Sequence, residues 1–551
     1  MKLTMPQSRR KAPFSGKAKK QQLQAKKNKN LLVSASTSSN AYDVVSVNYQ
    51  PKARGRDTNR YALKFYRETD EELKMKKEDS MKSLNRVLEK DMEVDPTDYF
   101  PSDISFPKRP PWDFSMTAAQ LDAQEQKYFR EYIDALQASE HWKDMSYFEL
   151  NLETWRQLWR VLEMCDVLLL IVDIRYAGMM FPPSLYEYVK QQKKNMILVL
   201  NKIDLVPASV VAAWKEFLLK KYPDLKIVYF TSCPGYNLRG STSDRTGLQI
   251  RRRRGKQRMC VEGAMKIYEA CMEIVNDEID LSTWKLKIIE ENNLEFDYDK
   301  AASVGETIIQ EVDTTFYRHE KYKNEILTIG CVGQPNVGKS SLMNAIMGKK
   351  VVSVSKTPGH TKHFQTIMLT PQVRLCDCPG LVFPSKVPRP IQILMGSYPI
   401  AQLREPYTTI RYLAERLDLP RLLRLEHPDL DDTWSPRDIC DGWAKKRSYL
   451  TAKAARLDTY RAANSLLRMA LDGRICLWLR PPGFTEEKYK YESCEETEYI
   501  NWVKSTTSYL DADSGNSDTD ISESGNEQES ETDDEEQTAM ANKFAALANV
   551  E

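Results

Sequence analysis

The chain predicts an α/β domain built on a doubly wound, mostly parallel sheet of six strands, and three observations predict it. Six short runs rich in apolar and β-branched residues stand at Val167–Asp173, Met196–Leu200, Ile227–Thr231, Ile326–Val332, His363–Leu369 and Val373–Asp377. Helical stretches alternate with them, as parallel strands require. A glycine-rich loop, Gly333-Gln-Pro-Asn-Val-Gly-Lys-Ser340, follows the fourth run directly. Runs that are apolar throughout suit strands covered on both faces.

In chain order, the first section is a basic arm, residues 1–55. Its first thirty residues hold ten Lys or Arg and no Asp or Glu. The last section, 501–551, is acidic, with twelve Asp or Glu between 511 and 536. The formal net charge of +2 hides this asymmetry. Both ends lack the apolar residues that offset ordering entropy, so both are expected to be disordered. A dense basic arm suits contact with RNA or a ribosomal particle, or with a nuclear import receptor, because each cation near a phosphate backbone releases counterions.

Residues 56–150 read as charged and mostly helical, as in Glu71-Glu-Leu-Lys-Met-Lys-Lys77, with a proline-rich break at Phe106-Pro-Lys-Arg-Pro-Pro-Trp112. Residues 151–392 carry the six runs and the glycine-rich loop. Residues 393–500 are rich in Leu, Arg and Ala and read as a helical domain with a protein partner of its own, as in Tyr449-Leu-Thr-Ala-Lys-Ala-Ala-Arg456. The longest apolar run, Val167–Val172, is too short to cross a bilayer, and no membrane contact is expected. The ten cysteines include no Cys-x-x-Cys pair, which points to a reducing compartment. Cys376 and Cys378 read as packing residues. So do Trp155, Trp159 and Trp214, which stand beside apolar neighbours at helical spacing.

The chemistry lies in three motifs. Between a strand and a helix, Gly333, Asn336, Val337 and Gly338 let successive N–H groups face a β-phosphate at a helix N-terminus. Lys339 supplies a point charge to the β- and γ-phosphates, Ser340 a hydroxyl to Mg²⁺, and Ser341 continues the loop. Without nucleotide, Lys339 is expected to point into solvent. Asp377-Cys-Pro-Gly380 ends a strand. Its carboxylate can hold Mg²⁺ through water, and the Gly380 N–H can bond a γ-phosphate and register its loss. Between them, Thr361 or alternatively Thr357 is the candidate switch threonine for Mg²⁺.

The third motif is Asn201-Lys-Ile-Asp204. Asn201 can bond a guanine edge, Lys202 can cover the ring, and Asp204 can accept from both N1–H and the 2-amino group. Adenine lacks that donor pair, so it would leave a buried carboxylate unpaired. Thr231 and Ser232, one strand later, are the expected place of a backbone N–H to the guanine carbonyl. GTP or GDP with Mg²⁺ is the ligand these motifs describe.

Their order is reversed from the usual one: Asn-Lys-x-Asp first, then the phosphate loop, then the threonine, then Asp-x-Pro-Gly. This order resembles the circularly permuted GTPases of the YlqF/YawG group. The resemblance covers roughly 100–490. It implies GTP binding, slow hydrolysis, a role in ribosome assembly and residence in the nucleus and nucleolus, with shuttling to the cytoplasm as an option. Leu381 stands where many GTPases place the Gln that orients the attacking water, so the catalytic group is unassigned. His360 and His363 lie near the phosphates by sequence alone. Asn336 matches GTPases that lack the Gln and use potassium, so K⁺ is a further candidate cofactor and Asn336 its candidate ligand.

A second basic cluster, Arg251-Arg-Arg-Arg-Gly-Lys-Gln-Arg258, reads either as a solvated loop or as an RNA or import contact. The permutation also places Gly380-Leu381 just before the helical section, so loss of the γ-phosphate is expected to pull on that section directly.

Overall fold

The computed structural model describes residues 68–231, 258–293, 320–348, 351–352, 365–428, 433–451 and 456–504, with the short strands 44–47, 63–66, 237–239, 247–248 and 250–252. Its centre is a sheet of β1 (Val167–Asp173), β2 (Asn195–Asn201), β3 (Lys226–Tyr229), β4 (Leu327–Val332), β5 (Gln365–Thr370) and β6 (Val373–Asp377). The strand order is β5-β6-β4-β1-β2-β3. All neighbours run parallel except the edge pair β5 and β6. Every residue of β1 and β4 is buried, as the unbroken apolar runs predicted. The first three strands of the chain form one half of the sheet and the last three the other. The halves meet where Val167 of β1 faces Ile329 of β4. The seam thus brings the end of β2 and the loop after β4 to the same edge of the sheet.

The helices follow in chain order. Thr69 caps α1 (Asp70–Asp79) and Thr117 caps α2 (Ala118–Ala138), each as a capping box with the residue three positions on. Asn151 caps α3 (Leu152–Met164), which buries Trp155 and Trp159. Next come α4 (Pro183–Gln191), α5 (Ala208–Lys221), α6 (Arg258–Val275), α7 (Ser282–Asn293) and α8 (Lys339–Met347). Trp214 of α5 is fully buried, and its Nε1 donates to Leu479 O at 3.0 Å. Burying side chains of this size contributes about 1.5–3 kcal/mol each, so the three tryptophans act as core residues.

Beyond the sheet lie α9 (Arg389–Leu394), α10 (Tyr407–Arg416), α11 (Leu419–Leu423), α12 (Pro436–Arg447), α13 (Thr459–Leu471), α14 (Lys488–Glu492) and α15 (Glu495–Lys504). Their core is continuous with that of the sheet: one cluster of buried apolar residues runs from Met92 to Val503. The boundary read at 392 is therefore not a break in packing. The stretch 449–456, read as helix, is not one where described. Ser448 turns left-handed at φ 56° and ends α12, and Leu450 pairs with Leu457 in an antiparallel bridge.

Residues 68–150 also differ from the mostly helical reading. Apart from α1, α2 and short 3-10 turns, the chain runs without regular structure. It is held by distant backbone partners: Leu84 N to Trp434 O, Val87 N to Glu415 O, Val94 N to Arg480 O and Glu149 N to Val382 O. Such a strap draws its order from remote contacts, so local propensity does not announce it. Among the described residues no helix is long and apolar enough to cross a membrane. Residues 501–504, read as part of the acidic tail, belong to α15; apart from these and the strand 44–47, the terminal arms lie outside the described residues, as do the side chains of Arg251–Arg258.

Candidate guanine-nucleotide site

The guanine motif is built at the end of β2. Asn201 is fully buried, and its Nδ2 donates to the carbonyl of Val337 in the phosphate loop at 2.6 Å. Lys202 takes a left-handed backbone at φ 63°. Its Nζ donates to Asp173 Oδ2 at 2.8 Å and to Asn336 O at 2.7 Å. The ammonium is thus fixed, and the aliphatic stem is the part of Lys202 able to cover a base. Asp204 sits in the short turn Ile203–Leu205 and accepts from Thr231 Oγ1 at 2.7 Å. Thr231 was expected to offer a backbone N–H. Its hydroxyl braces the Asp204 carboxylate.

Asp173 and Arg175 belong to this cluster and were not read from the sequence. Asp173 ends β1 directly opposite Asn201. Both Asp173 and Arg175 are wholly buried, joined at 2.8 Å, and Arg175 Nη1 reaches Ala470 O of α13 at 2.9 Å. Burial works to raise the Asp173 pKa, but Arg175 and Lys202 outweigh it and hold the carboxyl well below the usual range. The signal was present in Asp173-Ile-Arg175, a charged pair closing an apolar strand, where two charges have no reason to stand unless paired.

The phosphate loop joins β4 to α8, with Gly338 left-handed at φ 99°. Lys339 is buried, not in solvent as expected: its Nζ donates to Gly333 O at 3.0 Å and Gln334 O at 2.7 Å. Burial lowers its pKa, with Asp377 working the other way. The physical reason is short reach: the loop curls over its own lysine, and its carbonyls are the nearest acceptors. Ser340 Oγ donates to Asp377 Oδ2 at 2.9 Å. Among the described residues Asp377 Oδ1 is buried without a partner, and burial pushes this carboxyl up to about 6, against Lys339 and Ser340. Ser341 follows in the first turn of α8. A buried oxygen with no donor beside a serine hydroxyl fits a hard cation. Among the described residues no three His, Cys, Asp or Glu side chains form a cage.

Gly380 lies against the loop so closely that a Cβ there would come 2.8 Å from Pro335 Cα. Leu381 donates its N–H to Gly333 O at 3.2 Å, and its side chain is fully buried. Cys376 and Cys378 are likewise buried. Val382 and Phe383 follow, both buried, and Phe383 packs on Phe106 and Trp155. The segment after Gly380 therefore enters the core beneath the N-terminal strap, and the helical section follows closely, with α9 beginning at Arg389. Ser232, Thr361, the alternative Thr357, His360 and His363 lie outside the described residues.

Lys504, at the end of α15, donates to Val206 O at 2.5 Å. Burial lowers its pKa to about 8, with Asp204 working the other way. Nothing local in the sequence places it beside the guanine motif.

Comparison with known proteins agrees with this geometry. The family model described as 50S ribosome-binding GTPase matches residues 328–405. Guanine nucleotide-binding protein-like 1 of Macaca fascicularis is 43% identical over 535 residues, 89% of this chain and 88% of that protein. The protein of the same name from Homo sapiens gives the same identity and coverage. Large subunit GTPase 1 of Saccharomyces cerevisiae is 30% identical over 415 residues, 72% of this chain and 60% of its own. With a guanine motif that precedes the phosphate loop in the chain and is bonded to it in the fold, this chain belongs to the guanine nucleotide-binding protein-like 1 family of circularly permuted GTPases.

Proposed function

We propose that the protein hydrolyses GTP slowly and uses its nucleotide state to time attachment to a ribosomal particle or its RNA, in the nucleus and nucleolus. The observation behind the nucleotide part is the bonding of Asn201 and Lys202 to the carbonyls of Val337 and Asn336. One ligand spanning base and phosphates would fill both sides of that joint. Asp204 would read the base, Lys339 and the loop N–H groups would take the phosphates, and Gly380 would face the γ-phosphate. Ser340 and Asp377, with Thr361, are the residues that would hold Mg²⁺, which supplies charge neutralisation when bound. Leu381 is buried and cannot orient water, which supports slow turnover or help from a partner.

The ribosomal part is supported by the likeness to Large subunit GTPase 1 and to the 50S ribosome-binding GTPase family, and by the basic first thirty residues, which would also serve an import receptor. Purified protein should cleave GTP in a single turnover. Protein locked with a non-hydrolysable GTP analogue should co-sediment with ribosomal particles from cell extract, and GDP-loaded protein should not. Co-sedimentation that ignores the nucleotide would favour the other reading, an RNA-binding scaffold whose GTP is structural.

Potassium is the finer proposal. Asn336 is left-handed at φ 58°, and its Nδ2 is committed to Gly396 O at 2.9 Å, so only Oδ1 could ligate K⁺. Hydrolysis should then run faster in potassium than in sodium at equal ionic strength, and Asn336→Ala should erase the difference. Equal wild-type rates in both salts would end the potassium reading.

A further inference from the structure

Two side chains of the phosphate loop, Gln334 and Asn336, are gripped from outside it. Ser397 Oγ donates to Gln334 Oε1 at 2.8 Å, with both residues buried. Asn336 Nδ2 donates to Gly396 O. Gly396 and Ser397 form the turn that closes α9, through Gly396 N to Ile393 O and Ser397 N to Gln392 O. Gly396 is left-handed at φ 76°, where L side chains are strained. A Cβ there would also lie 2.5 Å from Asn336 Nδ2 and 2.7 Å from Leu471 Cδ1 of α13. The turn is wedged between the loop and α13 with no room for a side chain.

Each neighbour of this turn is itself fixed. The Gln392 side chain bonds Tyr147 through both its atoms, Nε2 to the carbonyl at 2.8 Å and Oε1 from the N–H at 3.0 Å. Gln334 is held at both ends, its side chain by Ser397 and its carbonyl by Lys339 Nζ. A lysine that moves toward a phosphate must leave that carbonyl, and the residue it leaves is the one Ser397 grips.

We propose that the Gly396–Ser397 turn is a positioning element of the nucleotide site, holding the outer face of the phosphate loop through Gln334 and Asn336. The proposal rests on the reading of 333–340 as the phosphate-binding loop. It makes loop geometry and docking of the C-terminal helices one coupled equilibrium. By linkage, a nucleotide that favours one loop geometry favours the matching seat of the turn. The helices are then informed through the loop itself, not through the segment after Gly380, which is buried beneath the strap.

The test is a double-mutant cycle on the full chain, with Ser397→Ala, Gln334→Ala and the pair, followed by release of fluorescent GDP and a fluorescent non-hydrolysable GTP analogue. Each single change should speed release about three- to tenfold, the size of one lost buried hydrogen bond. The pair should be no faster than the faster single variant, at closely similar melting temperatures. Amide exchange at Ser397 should also change when nucleotide is added to wild type. Gly396→Ala is the severe variant. Where it folds, it should release nucleotide faster still. Unchanged release in a folded Ser397→Ala, or rates that multiply in the pair, would overturn the proposal while leaving the site intact. Wild-type protein that bound neither nucleotide would overturn the reading of the site itself, and the proposal with it.

Discussion

The two halves of the sheet differ in how finished their chemistry is. In the guanine half, the polar side chains already have partners: Asn201 on Val337 O, Lys202 on Asp173 and Asn336 O, and Asp204 on Thr231. In the phosphate half, Lys339 rests on the loop's own carbonyls and one oxygen of Asp377 has no partner among the described residues. The guanine half is set before a base arrives. The phosphate half must trade bonds to receive its ligand, and that trade is what a nucleotide switch needs. A base is common to GTP and GDP, so nothing is gained by making its site move. The phosphates are what distinguish the two nucleotides, and on the proposed function the rearrangement belongs there.

The largest effect expected is a break in the guanine lock. Asp173→Asn leaves Arg175 buried without its counter-charge, which should cost about 3–5 kcal/mol of stability, read as the shift in a denaturant midpoint. The sign with pH follows from the depressed Asp173 pKa. Its stabilisation is in place above the ordinary carboxylate range, about pH 4, and is lost as pH falls below it. Wild type should therefore lose its advantage over Asp173→Asn in acid. An advantage that grew on acidification would mean the pair is not ionic.

On the phosphate side, Lys339→Ala should weaken GTP by about 3 kcal/mol, roughly two orders of magnitude in Kd, the scale of charge-assisted contacts. Equilibrium titration with a fluorescent analogue reads it, and wild-type affinity would mean the loop does not bind phosphates. Because Lys339 is buried, a modest loss of melting temperature should accompany the change.

Sharpening the base side, Asp204→Asn should shift preference from guanosine to xanthosine triphosphate, each direction worth about 1–3 kcal/mol. Competition binding decides it, and an unchanged preference would remove Asp204 from the base site. The smallest effect is at Leu381. Leu381→Gln restores the residue common in other GTPases but buries an unpaired amide, so it should cost about 1–3 kcal/mol of stability without raising kcat. A faster enzyme would show that the side chain can reach the phosphates after all.

The six strands were legible because each is short and rich in apolar and β-branched residues, and their ends agree with the structure to within two residues. The three motifs were legible because phosphate and guanine demand particular residue types at fixed spacing. What escaped was everything that depends on distant partners. The strap at 68–150 takes its order from bonds to residues such as Trp434 and Arg480, and no local pattern encodes a partner so remote. Ser397 and Lys504 look like ordinary helix-end residues until the fold brings them to the site. The burial of Lys339 escaped for the opposite reason: a polar loop suggests exposure, but a loop that curls tightly enough shields its own centre.

The seam between the halves also sets a timetable. During synthesis the chain emerges from its N-terminus, so β1, β2 and β3 are made before β4. Until Leu327–Val332 arrives, β1 is an apolar strand with β2 on one side and an open edge on the other, the kind of edge that invites pairing with other chains. In a GTPase of ordinary order, the phosphate strand is made first and later strands add around it. Here the phosphate strand β4 is made only after the whole first half, and β1 waits through the intervening stretch with its hydrophobic flank exposed. A nascent chain paused short of residue 327 should therefore be the most sticky species in this protein's life, and completing β4 is the event that closes it.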